Sequence, residues 1–334
     1  MSETELTTRG VFHIRSYALF WASRVLSSLS YQMIGVAVGW QMYELTHSTF
    51  ALGMVGLVQF LPLLLLVLVV GHVADRVDRR RIIAICRTIE GLTAGALALA
   101  TWTHHITPLT IFAAVALVGA ARAFENPSNQ AIVPSLVPEQ SVPQAIAWSS
   151  SANQTASILG PALGGLLYVA GARVVYATAG ALFVVAAILF FGVQLWRPKA
   201  ARNAAATTAT SLFSGIHYIR DHKNILGAIS LDLFAVLLGG ATALLPAYAH
   251  DILHTGPWGL GLLRLAPAVG ALSMSVVLAH SRIRRRAGLR MFGAVILFGV
   301  ATIGFALSRS IWLSIAVLIV SGAADVMSVV IRST

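Results

Sequence analysis

Gly71-His72-Val73-Ala74-Asp75-Arg76-Val77-Asp78-Arg79-Arg80-Arg81 places four arginines and two aspartates between two long apolar runs. No charged residue occurs from Phe50 to Val70, and a second apolar run begins at Ile82. Such a block does not lie in hydrocarbon, where one charge at a helix centre costs roughly 2.5–3.5 kcal/mol on insertion scales. It therefore reads as a tight turn at a membrane surface joining two spanning helices. A bland alternative is a basic turn that only sets orientation.

Composition agrees with a membrane setting. Of the 334 residues, 57% are hydrophobic and only 10% charged, where a soluble domain carries about 25% charged residues. The formal net charge of +11 is not a nucleic-acid signature, because the Lys and Arg sit in short segments flanking apolar runs. Cys86 is the one cysteine, which rules out an intramolecular disulfide and a cysteine-based zinc site. Arg9 and Arg15 precede an apolar run too long for a signal-peptide core, so the first span is read as uncleaved.

Apolar runs of about twenty residues, each able to cross roughly 30 Å of hydrocarbon, predict ten spans. They fall at 16–43, 50–72, 82–103, 106–125, 144–170, 173–195, 224–248, 257–280, 287–307 and 311–332. Sixteen of the 23 Lys and Arg lie before residue 16 or within 73–81, 196–223 and 281–290. By the positive-inside rule these segments, and the N-terminus, are cytoplasmic. The expected organisation is a six-helix bundle over 1–195, a linker over 196–223, and four helices over 224–334. The linker is rich in Ala, Thr and basic residues, and 212–219 reads as a short amphipathic helix at the membrane surface. The second half echoes the first: Pro62 and Pro267 each stand about a dozen residues before a basic turn.

The spacing Gly71-x-x-x-Asp75-Arg76-x-x-Arg79-Arg80 resembles the signature loop of major facilitator superfamily transporters, with Asp78 where the usual pattern has glycine. The Asp-Arg-x-Asp-Arg-Arg form is similar to the branch containing the enterobactin exporter and related efflux proteins. Gly160-Pro161-x-x-Gly164-Gly165 resembles the fifth-helix motif of exporters in that superfamily. Glycines four apart let helices approach closely and the proline permits a bend, so ordinary helix packing is the competing explanation. The resemblance implies an all-α polytopic bundle with about ten of the usual twelve helices, apparently truncated after the tenth. It also implies a gating role for Gly71, Asp75, Arg76, Asp78, Arg79 and Arg80.

Charges inside predicted spans include Arg24, Glu90, Arg122, Glu125, Asp232, Arg264 and Asp325. Each faces protein or water, and is functional by default. The resemblance places the first, fourth, seventh and tenth helices around a central cavity. It thereby makes Arg24, Arg122, Glu125, Asp232 and Asp325 the cavity and proton-coupling candidates, and leaves Glu90 and Arg264 structural or gating. Snorkelling or local ion pairing is the alternative for each. Ser150, Asn153, Gln154 and Ser157 form a polar stripe on the fifth span, facing a cavity or another helix.

The expected function is export of a small amphipathic molecule, siderophore-like or drug-like, by alternating access driven by protons. Uptake of a small solute, or a non-transporting scaffold or sensor, are the alternatives. No phosphate-binding loop, Gly-x-Ser-x-Gly or His-Glu-x-x-His occurs, which argues against an ATPase domain and a hydrolase. His250, Asp251 and His254 read as a solvated loop. No cofactor, metal or nucleic acid is implied. The expected setting is the bacterial cytoplasmic (inner) membrane, as a monomer.

Overall fold

The computed structural model describes residues 10–195, 230, 240–280 and 287–333. The chain divides into two compact units, Met1–Ala205 and Ala206–Thr334. The linker 196–223 with its amphipathic stretch, the basic turn 281–286 and Asp232 lie outside the described residues.

In the first unit six helices follow one another: α1 (Arg15–Thr46), α2 (Thr49–Arg76), α3 (Arg79–Trp102), α4 (Pro108–Ile132), α5 (Val142–Tyr168) and α6 (Ala172–Phe191). Among the described residues of the whole chain, six helices are long and apolar enough to cross a membrane by length and composition. Neither α1 nor α5 is among them, because both carry the polar side chains with which they meet each other. The exposed surface of the helices is apolar, with Leu64, Leu92, Ile188 and Phe191 facing outward. The protein is an integral membrane protein.

Two helices run further than the apolar pattern predicts. Helix α2 continues through Arg76, so the charged block is mostly its last turns, and only Val77 and Asp78 separate it from α3. Asp78 is the N-cap of α3, its Oδ1 accepting the Arg80 backbone N–H at 2.9 Å. That role accounts for an aspartate at this position, since Asp is among the preferred caps. Helix α4 runs past Glu125 to Ile132 with Pro127 inside it. Glu125 thus sits two turns inside the helix rather than at its end.

Where lipid replaces water, helices associate through close packing and interhelical hydrogen bonds rather than apolar burial. Helix α1 packs on α5 and α6, α3 on α4 and α6, and α2 on α4. A Cβ added at Gly160 would strike Gln32 Cβ, and one at Gly164 would lie 3.0 Å from Met33 Cα. Gly160 and Gly164 therefore form the contact seam between α5 and α1, with Pro161 and Gly165 buried beside them. The Tyr17 hydroxyl donates to the Ala145 carbonyl at 2.7 Å across the same seam.

In the second unit a 3-10 turn (Gly240–Leu244), the short α7 (Leu245–Ala247) and a π turn (Tyr248–Ile252) form the described end of the seventh predicted span. Helices α8 (Pro257–His280), α9 (Ala287–Leu307) and α10 (Ile311–Ser333) follow, α10 packing on both others. A Cβ on Gly322 of α10 would strike the Pro267 carbonyl of α8, just as one on Gly119 of α4 would strike the Gln59 carbonyl of α2. Each unit thus sets a glycine against backbone close to the proline of its partner helix, Pro62 in α2 and Pro267 in α8.

Candidate functional site

A buried ion cluster lies at the centre of the first unit. Arg87 Nε on α3 is 3.1 Å from Glu125 Oε1 on α4, and Arg122 Nε on α4 is 2.7 Å from Glu90 Oε1 on α3. Arg122 also reaches Glu125 Oε2 at 3.4 Å. Arg87, Glu90 and Glu125 are fully buried. Glu125 Oε1 accepts from Asn129 Nδ2 at 3.1 Å and from Ser27 Oγ at 3.4 Å. Arg87 donates to Ser23 Oγ, whose hydroxyl donates in turn to the Ala186 carbonyl of α6. Glu90 is held differently: its approach to Arg122 is an ion contact, and among the described residues neither of its buried oxygens has a hydrogen-bond donor.

Aromatic rings close the cluster. The Arg87 guanidinium lies 4.7 Å from the Phe190 ring centroid and that of Arg122 4.2 Å from Tyr31. Tyr31 Oη accepts from Gln59 Nε2 of α2 at 2.7 Å. Arg122 Nη2 donates to the Ser27 carbonyl at 3.1 Å. The cluster therefore joins α1, α3, α4 and α6, and through Tyr31 reaches α2.

Beside it runs the polar seam between α1 and α5. Arg24 Nε and Ser28 Oγ both donate to Asn153 Oδ1, at 3.5 and 3.0 Å, and Gln32 Nε2 donates to Ser157 Oγ at 3.2 Å. The stripe predicted on the fifth span thus meets α1 through Asn153 and Ser157. Asn153 and Ser150 are exposed in mid-helix, and polar groups at that depth face water or protein rather than lipid.

The sequence candidates separate accordingly. Arg122 and Glu125 come together, and neither snorkels, because each is committed to partners inside the bundle. Glu90, read as structural, joins them. Arg87 is the residue sequence reasoning passes over, although it stands inside the third predicted span, nearly two turns beyond the basic block. The repeated spacing Arg87-x-x-Glu90 and Arg122-x-x-Glu125 is the signal that points to it. Asp325 lies on an exposed part of α10 and Arg264 is half-buried on α8. Arg79 Nη1 donates to the Ala131 carbonyl at 2.8 Å, where the last carbonyls of α4 favour a cation. Arg76 is exposed at the end of α2, and Gly71 has open space where a Cβ would stand. The Asp75 side chain lies outside what is described. Among the described residues no group of three or more His, Cys, Asp or Glu comes together.

A family model described as transmembrane secretion effector matches residues 7–332. The chain belongs to this family, within the major facilitator superfamily. The family comprises transporters rather than enzymes. Its relatives include the staphyloferrin A transporter of Staphylococcus aureus, 24% identical over 290 residues, covering 85% of this chain and 72% of the relative. Enterobactin exporter EntS of Escherichia coli is 26% identical over 299 residues, 85% of this chain and 70% of the relative. Macrolide efflux protein A of Streptococcus pyogenes is 26% identical over 148 residues, 44% of this chain and only 36% of its own length.

Among solved structures, an inward-facing, unoccupied bacterial homolog of the human lysosomal transporter Spinster aligns with a TM-score of 0.72 at 16% identity, over 96% of this chain and 74% of that one. A mutant of the nucleoside transporter NupG aligns with a TM-score of 0.69 at 18% identity, over 94% and 82%. These likenesses establish the fold.

Proposed function

We propose that this family member is a secondary active exporter of a small amphipathic molecule, siderophore-like or drug-like, coupled to inward proton movement. The observation that carries this reading is the α1–α5 seam. It is a polar surface at mid-membrane depth, built on Arg24, Ser28 and Asn153 and exposed at Asn153, within a family whose relatives are named for siderophore transport and macrolide efflux. Two helical bundles, 1–195 and 224–334, rock about the substrate in alternating access, joined by the cytoplasmic linker 196–223. The N-terminus and the charged segment 71–81 face the cytoplasm of a bacterial inner membrane, and the chain works as a monomer. Asp325 and Asp232 are the proton carriers. Glu125 is the third candidate, and its contacts with Arg87 and Arg122 favour a bracing role instead.

Cells lacking their own efflux pumps, expressing this chain, test the reading. Accumulation of a macrolide and of enterobactin is followed with and without a protonophore. Lower accumulation of either, restored by the protonophore, is the expected result. Accumulation equal to the vector control removes export, and higher accumulation replaces it with uptake.

A further inference from the structure

The buried charges of the first unit do not balance. Arg24, Arg87 and Arg122 face Glu90 and Glu125, and both carboxylates are taken by Arg87 and Arg122. Arg24 is left over. It is 8% exposed, and among the described residues no carboxylate lies within 4.0 Å of it. Its one hydrogen bond there is the 3.5 Å contact to Asn153. An arginine does not shed its proton to escape burial, so an unpaired one inside a membrane protein awaits an anion.

The surroundings fit that anion. Asn153 Oδ1 is used by Arg24 and Ser28, which leaves the amide N–H groups of Asn153 as donors on an exposed side chain. An aromatic surface lies one helical turn away. Trp21 stands three residues before Arg24, on the neighbouring face of α1, and its Nε1 donates to the Trp148 carbonyl at 2.8 Å. Phe12 meets both indoles edge-on, at centroid distances of 5.3 and 5.0 Å, and Trp148 is 42% exposed.

We infer that Arg24, Asn153 and the Trp21–Trp148 edge form a recognition site for an aromatic or amphipathic anion, a carboxylate or sulfonate beside a flat apolar body. This names the substrate class of the proposed exporter and rests on that reading for its biology alone, because binding is measured without transport.

The test is fluorescence titration of the purified protein in neutral detergent with anilinonaphthalene sulfonate and with its uncharged relative, phenylnaphthylamine. Arg24→Gln is expected to weaken the sulfonate dye about tenfold, equivalent to 1.4 kcal/mol, with the neutral dye unaffected. Arg24→Lys keeps the charge and retains most of the preference. Competition on the unmodified protein supplies a measurement that needs no variant: benzoate displaces the sulfonate dye and benzyl alcohol does not. Unchanged sulfonate affinity in Arg24→Gln, an equal loss of both dyes, or equal displacement by benzoate and benzyl alcohol overturns the inference. Failure of the export assay with dye selectivity intact would leave the site standing and remove only the transport reading.

Discussion

Arg122 on α4 is held 2.7 Å from Glu90 on α3, while Arg87, three residues before Glu90, is held 3.1 Å from Glu125, three residues after Arg122. The two Arg-x-x-Glu pairs are crossed. Each helix contributes one cation and one anion, and both short contacts run between helices. Arginine preceding glutamate is the weaker order for a pair within one helix, so the pattern favours bracing across the interface. The four charges sum to zero, which makes their burial tolerable only as a set.

That interdependence gives the first prediction. Removing one partner of a buried pair costs about 3–5 kcal/mol, because the other charge is left uncompensated. Glu125→Gln and Arg87→Gln are each expected to lower the thermal unfolding midpoint in detergent strongly. The double variant should lose less than the two single losses together. Strict additivity would show that the two side chains do not act as a pair.

The glycine seam gives the second. Alanine is favoured over glycine inside a helix by about 0.8–1.0 kcal/mol, so Gly→Ala stabilises wherever the methyl has room. Gly95 has nothing within 4 Å of an added Cβ, whereas Gly160 faces Gln32 Cβ and the Leu29 carbonyl of α1. Gly95→Ala is expected to hold or raise the midpoint and Gly160→Ala to lower it. Two equal midpoints would mean that α1 and α5 part at no cost.

The spans are legible in the sequence because twenty apolar residues have few other fates. Helix ends are less so. A charge block marks where hydrocarbon stops, and a helix is free to project beyond it, as α2 does to Arg76. The fourth predicted span stops at 125, yet α4 passes through Pro127 to Ile132 and carries Glu125 inward. The members of the ion cluster all lie inside predicted spans, Arg87 included, though only Glu90, Arg122 and Glu125 are singled out there. Their pairing depends on the register of α3 against α4, which no local pattern encodes. That Arg24 has no carboxylate within 4.0 Å among the described residues is invisible for the same reason, since it follows from where the other four charges go.

Topology is checked by labelling. Asn203 belongs to a segment read as cytoplasmic, alternation of the predicted spans puts Gln140 on that same side, and His47 and His105 lie on the opposite side. Single cysteines at these four positions, in a Cys86→Ala background, should react with an impermeant maleimide from the matching side only. The reverse pattern would invert the orientation derived from the basic residues.

Coupling is checked at Asp325. It lies on α10 with more exposure than the buried carboxylates of the first unit, and an acid that loads and releases a proton needs access to water. Asp325→Asn should abolish protonophore-sensitive export while leaving dye binding at Arg24 unchanged. Undiminished export by this variant and by Asp232→Asn together would assign the coupling elsewhere.

The last prediction concerns Asp78, where this chain departs from the glycine of the superfamily pattern. Three arginines, Arg79 to Arg81, open α3, and positive charge at a helix N-terminus opposes the helix dipole. Arg79 is directed away, onto the Ala131 carbonyl. Asp78 supplies both a cap to the Arg80 N–H and a compensating negative charge. Alanine at an N-cap costs about 0.5–2 kcal/mol, and glycine only a few tenths more than the native cap. Asp78→Asn, which keeps the hydrogen bond and loses only the charge, should therefore unfold closest to the unmodified protein, Asp78→Gly a few tenths of a kcal/mol below it, and Asp78→Ala clearly below both. High salt should narrow the gap between Asp78→Asn and the unmodified protein, since the exposed charge is screened and the hydrogen bond is not. Midpoints in which glycine is the worst of the three would show that Asp78 acts through contacts other than the cap.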